Sequence, residues 1–122
     1  MTRVIFLSAV FALLAVPALA YQSRCNVPYA PTVPNGKSAT QAQMTSAHDA
    51  VTLFIKQSDD YQSCLLLELK TAREAAVQKQ KPFDQQIATD VNNLASANQR
   101  EKERVGAEYN GAAHAFNEAH PH

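Results

Sequence analysis

Tryptophan is absent from the 122-residue chain, and glycine occurs only three times. Such a chain lacks the turn glycines of a β-sandwich or a loop-rich scaffold. There is no excess of charge of either sign: eleven Lys and Arg face eleven Asp and Glu. The electrostatic footprint of a nucleic-acid binder is therefore missing, as is a basic patch for anionic lipid. No segment after the first twenty residues is apolar enough to span a bilayer. There is no CxxC, no HExxH and no Gly-rich phosphate loop. No nucleophile, base and orienting group stand together as catalysis requires. A non-catalytic protein is the expectation, with no cofactor.

What is present begins at the N-terminus. "MTRVIFLSAVFALLAVPALA" has an early cation, Arg3, an apolar run from Val4 to Val16, a helix-breaking Pro17, and the small-residue exit Ala18-Leu19-Ala20. That order is a secretory signal peptide, residues 1–20, with cleavage after Ala20. A membrane anchor is the competing reading, and needs about 20 apolar residues without such an exit. Cys25 lies too far from the cleavage point for a lipoprotein. The mature chain of 102 residues loses Arg3 and carries a formal charge of −1. A periplasmic or secreted location follows, with no stable membrane insertion after cleavage.

Two cysteines in an exported chain predict one disulfide, Cys25–Cys64. Residues 21–37 form a proline-rich arm with Pro28, Pro31 and Pro34 at a spacing of three, the turn of polyproline II. Asn35-Gly36 is a turn dipeptide, and Ser38 with Gln41 reads as a capping box. From Ala39 to Lys81 the chain has neither Gly nor Pro, and apolar residues recur at helical spacing: Met44, Ala47, Val51, Phe54, Ile55, Tyr61, Leu65, Leu69, Ala72 and Ala76. One helix over 39–80 is expected. Pro82 opens a second, 82–119, carrying Phe83, Ile87, Val91, Leu94, Val105, Tyr109, Ala112 and Phe116. Its stripe weakens at Asn98 and Glu101, and Gly106 with Asn110-Gly111 marks an expected kink or break.

The predicted fold is all-α: a long antiparallel helical hairpin, coiled-coil-like, spanning 38–122. The arm folds back along helix one. Its length, about 40 Å as polyproline II, matches the roughly 38 Å of helix from Ala39 to Cys64. Proline rings and Tyr29 then cover part of helix one. A loose tail whose cysteine pairs between molecules is the alternative.

Prolines spaced by three before a turn and an amphipathic helix resemble the pancreatic-polypeptide hormones, over the arm and the first half of helix one. "CNVPYAPTVPNGKSATQAQM" followed by "YQSC" at Tyr61–Cys64 resembles a group of small uncharacterised secreted proteins of proteobacteria. That likeness covers Cys25 to about Leu69. It implies a fold and a location outside the cytoplasm, and no chemistry.

Three features offer themselves as sites. In "CLLLEL" the leucines Leu65, Leu66, Leu67 and Leu69 cover most of the helix circumference, whereas a hairpin buries one stripe. The surplus meets the arm, a second copy in a homodimer, or a protein partner. "HAFNEAHPH" collects His114, Glu118, His120 and His122, with His114 and Glu118 one turn apart, a spacing able to hold Zn²⁺ or Cu²⁺. His48 and Asp49 complete the set if the hairpin brings them close; a frayed polar tail is the plainer reading. Asp59-Asp60 and the Arg100/Glu103 and Glu101/Arg104 pairs read as solvated helix faces. The functions that remain are a cell-envelope interaction protein, a holdase-type periplasmic chaperone, or a metal-binding protein.

Overall fold

The computed structural model describes residues 20–121; all but the last residue of the expected leader 1–20, and the candidate ligand His122, lie outside them. Two long helices dominate, α1 (Gln41–Gln78) and α2 (Gln85–Ala119). They pack on each other as an antiparallel hairpin, and an extended arm, residues 20–40, runs back along it. No strand occurs among the described residues.

The start of α1 differs from expectation by two residues. Ser38 closes the preceding turn instead of capping the helix: its N–H and that of Ala39 donate to Asn35 O at 3.2 and 2.9 Å. The capping box belongs to Thr40, whose Oγ1 accepts from Gln43 N–H at 3.1 Å while Gln43 Oε1 accepts from Thr40 N–H at 2.8 Å. Sequence satisfies both spacings, and Ala39, buried at the turn's exit, moves the cap onward. α1 ends in a Schellman motif. Lys81 N–H donates to Ala76 O and Gln80 N–H to Val77 O, both at 3.0 Å, and Gln80 takes the left-handed φ of 52° usually given to glycine.

Pro82 does not open α2. The cap is Asp84, whose Oδ1 accepts from Gln86 N–H at 2.9 Å. Phe83, just before the cap, and Ala88, in the first turn, join one apolar cluster as a hydrophobic staple. α2 then continues unbroken through Gly106 and Gly111, correcting the expected break. Both glycines sit where an added methyl group meets nothing within 4 Å, so no close packing calls for glycine there and each costs helix propensity.

The buried residues of α1 are Met44, Ala47, Val51, Phe54, Ser58, Tyr61, Leu65 and Leu69. From Met44 to Leu65 the steps alternate between three and four, the heptad seam of a coiled coil, and a further step of four reaches Leu69. Two apolar clusters result. Tyr61, Leu65 and Leu69 pack with Ala88, Val91 and Cys25 near the helix connection. Val51 and Phe54 pack with Val105 toward the far end. Between them lies a polar layer. Ser58 is fully buried and Asn98 nearly so. Asn98 Nδ2 donates to Ser58 Oγ at 3.2 Å, and Gln62 Nε2 donates to Asn98 Oδ1 at 2.9 Å. Asn98 is therefore a core position, where the stripe had looked merely weak. Lys102 of α2 also reaches across to Asp59 of α1 at 2.6 Å, so Asp59 is a helix-to-helix contact as well as a surface charge.

Candidate functional site

The arm is where sequence periodicity and tertiary packing meet. Its burial repeats every third residue, as three residues per turn demand. Cys25, Pro28, Pro31 and Pro34 form one inward edge, Cys25 buried and the prolines half-buried. Pro28 lines one groove with Gln57, Tyr61 and Cys64 of α1, and Pro34 lines another with Gln43, Ala47 and Ala50. Ala30, Val33 and Gly36 form a second edge. Ala30 and Val33 pack on the Val51, Phe54 and Val105 cluster, and Gly36 is buried against α2. A Cβ at Gly36 would lie 1.9 Å from the carbonyl oxygen of Ala112 and 2.9 Å from the Phe116 nitrogen. Asn26, Tyr29, Thr32 and Asn35 make the third edge, and all four are exposed. The arm thus fills the valley between both helices. Tyr29, expected to cover α1, points to solvent instead and is 92% exposed.

The disulfide joins Cys25 to Cys64 of α1, with a Cα–Cα distance of 5.9 Å. Immediately before it, residues 21–24 converge on one carboxylate of α1. Glu68 Oε2 accepts from the Tyr21 hydroxyl and from Ser23 Oγ, each at 2.8 Å, and Glu68 Oε1 accepts from Arg24 N–H at 2.8 Å. Burial pulls the Glu68 carboxyl upward, but these three hydrogen bonds and the Arg24 charge outweigh it and hold the group below the usual carboxylate range. Burial, followed by the bond to Glu68, pushes the Tyr21 phenol up. Burial does the same to Tyr61. No local pattern announces this cluster, since Glu68 stands among leucines and Tyr21 directly after the expected leader.

An open groove of about 470 Å³ lies alongside the disulfide, between Asn26, Val27, Pro28 and Tyr29 of the arm and Gln57, Asp60, Tyr61 and Cys64 of α1. Val27, 74% exposed, stands with Tyr29 at its arm side. Lys56 Nζ pairs with Asp60 at 2.7 Å. The groove offers apolar edges and one carboxylate, that of Asp60.

The four leucines separate. Leu65 and Leu69 are core residues, with 0% and 7% exposure, while Leu66 and Leu67 are exposed. That corrects the expectation of a four-leucine surface. Successive helical residues diverge by about 100°, so the triplet points in three directions. Leu67 shares a side of α1 with exposed Leu53, about 21 Å away, and Leu66 shares another with exposed Val77, about 16 Å away. The apolar exposure is dispersed.

Among the described residues the histidines form no common donor group either. His114 Nε2 lies 3.4 Å from Glu118 Oε1, and both are exposed. His120 stacks on Phe116, with ring centroids 4.2 Å apart. His48 sits against Tyr109, edge to face at 5.8 Å, with its Nδ1 3.3 Å from Asp49. Among the described residues, the one gathering of three metal-type donors is Cys25, Cys64 and Glu68. Its two sulfurs are bonded to each other and offer no thiolate. No helix of the described residues is long and apolar enough to cross a membrane.

No family model, curated protein or solved structure matches the chain.

Proposed function

We propose that this is an exported, non-catalytic interaction protein of the cell envelope, periplasmic or secreted, whose rigid helical body presents a surface to a protein partner. The observation that carries the reading is the outward edge of the arm. Val27 and Tyr29 stand exposed on a backbone fixed by a disulfide, three prolines and packing against two helices. A rigidly held aromatic loses little conformational entropy when it is covered, and tyrosine is a common interface anchor. The leader pattern of residues 1–20 and the disulfide support export. The likeness of the arm and the "YQSC" segment to small secreted proteobacterial proteins agrees with it.

The test is a photo-crosslinking residue placed at Tyr29, with Lys79 as an exposed control, in the oxidised protein in its native envelope. A single discrete adduct at position 29 and none at 79 is the expected result. Identical ladders at both positions would count against a defined partner surface. The solution mass of the oxidised protein, by light scattering, separates a foreign partner from a second copy.

The exposed Leu53, Leu66 and Leu67 favour a second reading, a holdase that shields unfolded clients. Their dispersal weakens it, because client capture needs contiguous apolar area. Suppression of client aggregation at stoichiometric amounts, lost on replacing Leu66 and Leu67 by Gln, would establish it over the first.

A further inference from the structure

The residue that follows the leader pattern is firmly held. Tyr21 packs against the cluster of Tyr61, Leu65, Leu69 and Val91, and its hydroxyl donates to Glu68 of α1. Its backbone nitrogen lies 3.1 Å from Asp90 Oδ2 of α2. Gln86 Nε2 donates to the other oxygen, Asp90 Oδ1, at 2.8 Å and fixes that carboxylate from its far side. Asp90 and Glu68 are both half-buried. Among the described residues, neither forms an ion pair with a Lys, Arg or His side chain. Arg24, the cation closest in sequence to Tyr21, is exposed; its backbone N–H donates to Glu68 and its charge acts on that carboxylate without forming an ion pair. Ala20, directly before, is exposed.

A neutral amide at Tyr21 gives Asp90 one hydrogen bond and leaves its charge uncompensated. Hydrolysis of the Ala20–Tyr21 bond by a signal peptidase changes that. Water adds across the peptide bond, Ala20 leaves with the new carboxylate, and the Tyr21 nitrogen becomes an amine that takes up a proton. A positive charge then stands on the atom that already faces Asp90.

We propose that Asp90 is the receptor for the α-ammonium group released by cleavage between Ala20 and Tyr21, so that export processing locks the start of the arm onto α2. The proposal rests on reading residues 1–20 as a leader. The lock ties the mature N-terminus to α2 through Asp90 and to α1 through Glu68, one disulfide's reach from Cys25. The group at the nitrogen is Asp90 of α2, held by Gln86 from its far side; Glu68 and Tyr61 of α1, the Tyr21 phenol and Arg24 are the other titratable and charged groups of the same cluster. Two carboxylates against one exposed guanidinium favour the charged amine. Its pKa is raised in the folded protein, so its stabilisation is complete below the ordinary α-amino value, about 7.7–8.0, and is lost as pH rises through the folded value.

The test expresses the full chain with its own leader, recovers the oxidised product from the envelope fraction and determines its first residue by intact mass. The α-amino group is then titrated in that protein and in Asp90→Asn. The expected start is Tyr21, with an amine titrating about one unit higher in the parent than in the variant. Cleavage at another bond overturns the lock and leaves export standing. A product that keeps residues 1–20 overturns both. A chain that begins at Tyr21 and titrates alike in both proteins overturns the lock alone. Acetylating the α-amino group is the second perturbation, which needs no side-chain substitution. It is expected to lower Tm at about pH 6 and to leave Tm unchanged at about pH 10, where the free amine is largely neutral. Equal melting at the lower pH overturns the proposal.

Discussion

Gly36→Ala should loosen the whole arm, although it adds a single methyl group. Gly36 has no positive φ, so alanine meets no backbone strain there. The cost is steric. The new Cβ would sit 1.9 Å from the Ala112 carbonyl oxygen, 2.7 Å from its carbon and 2.9 Å from the Phe116 nitrogen. All three belong to helix backbone, which cannot rotate aside as a side chain does. The turn at residues 35–38 has to lift away from α2, and Ala30 and Val33 are strained out of the Val51, Phe54 and Val105 cluster with it. Overpacking of this kind costs about 1–3 kcal/mol and occasionally more; an unyielding backbone puts Gly36→Ala in the upper half. At roughly 4–8 °C per kcal/mol for a domain of this size, Tm should fall by about 10 °C or more. The same substitution at Gly106 and Gly111 supplies the control. Nothing lies within 4 Å of either added Cβ, and alanine in a helix interior is worth about 0.5–1 kcal/mol over glycine. Both should raise Tm. Melting curves of the three variants by circular dichroism decide it: a neutral or stabilising Gly36→Ala would mean that the arm does not rest on α2.

Gln80→Gly should stabilise by about 1 kcal/mol, since it relieves a left-handed residue at the end of α1; a urea midpoint equal to the parent's would argue against the Schellman ending. Asn98→Ala should cost about 1–3 kcal/mol by stranding the buried Ser58 hydroxyl and leaving Gln62 with Gln99 alone, and a double-mutant cycle with Ser58→Ala should show coupling, whereas additive losses would deny the layer. Reducing Cys25–Cys64, which are 39 residues apart, should cost roughly 4 kcal/mol by the chain-entropy estimate while far-ultraviolet dichroism stays helical; loss of the helices themselves would show that the clamp carries more than the arm. Acid should also loosen the arm. The Glu68 carboxyl is depressed in the fold, so its contribution is present above the unfolded carboxylate value and is lost as pH falls through the folded one. Glu68→Gln should flatten that acid limb, and an unchanged limb would remove Glu68 as its source.

The two helices were legible because their apolar residues keep a heptad rhythm over many turns, and because Pro82 interrupts it once. The arm was legible as a length: prolines at every third residue set its rise, and the distance to Cys64 then followed. The ends were harder. Ser38 with Gln41 and Thr40 with Gln43 are equally good boxes on paper, and only the turn around Asn35 chooses between them. Ser58 and Asn98 were missed because a polar residue on an apolar stripe reads as a gap, although the rhythm 51, 54, 58, 61, 65 placed Ser58 inside. Tyr29 was misplaced because the inward edge of the arm was assigned from its prolines without following the other two edges. The Glu68 and Asp90 contacts could not be read at all. They join residues 44 to 69 positions apart, and nothing local marks them.

A two-helix hairpin has one weakness that this chain addresses twice. Helices joined by a single loop and an even heptad seam can slip by one repeat, about 10 Å along the axis, and still bury apolar residues. The polar layer opposes slippage from within: moving α2 by a heptad would bring Asn98 opposite Val51 or Leu65 instead of Ser58, leaving buried amide and hydroxyl groups without partners. The arm opposes it from outside. It is bonded covalently to α1 at Cys64, while Gly36 fits only against the Ala112–Phe116 backbone of α2 and Tyr21 reaches only Asp90. The separation of those last two contacts along α2 is fixed by the rise of the arm, so both hold in one register and neither in the next. Removing either device alone should therefore leave the register intact, whereas Asn98→Leu with Ser58→Leu and residues 21–37 deleted should give a helical protein with more than one set of amide resonances. A single set from that doubly altered chain would show that the short connection at residues 79–84 is enough.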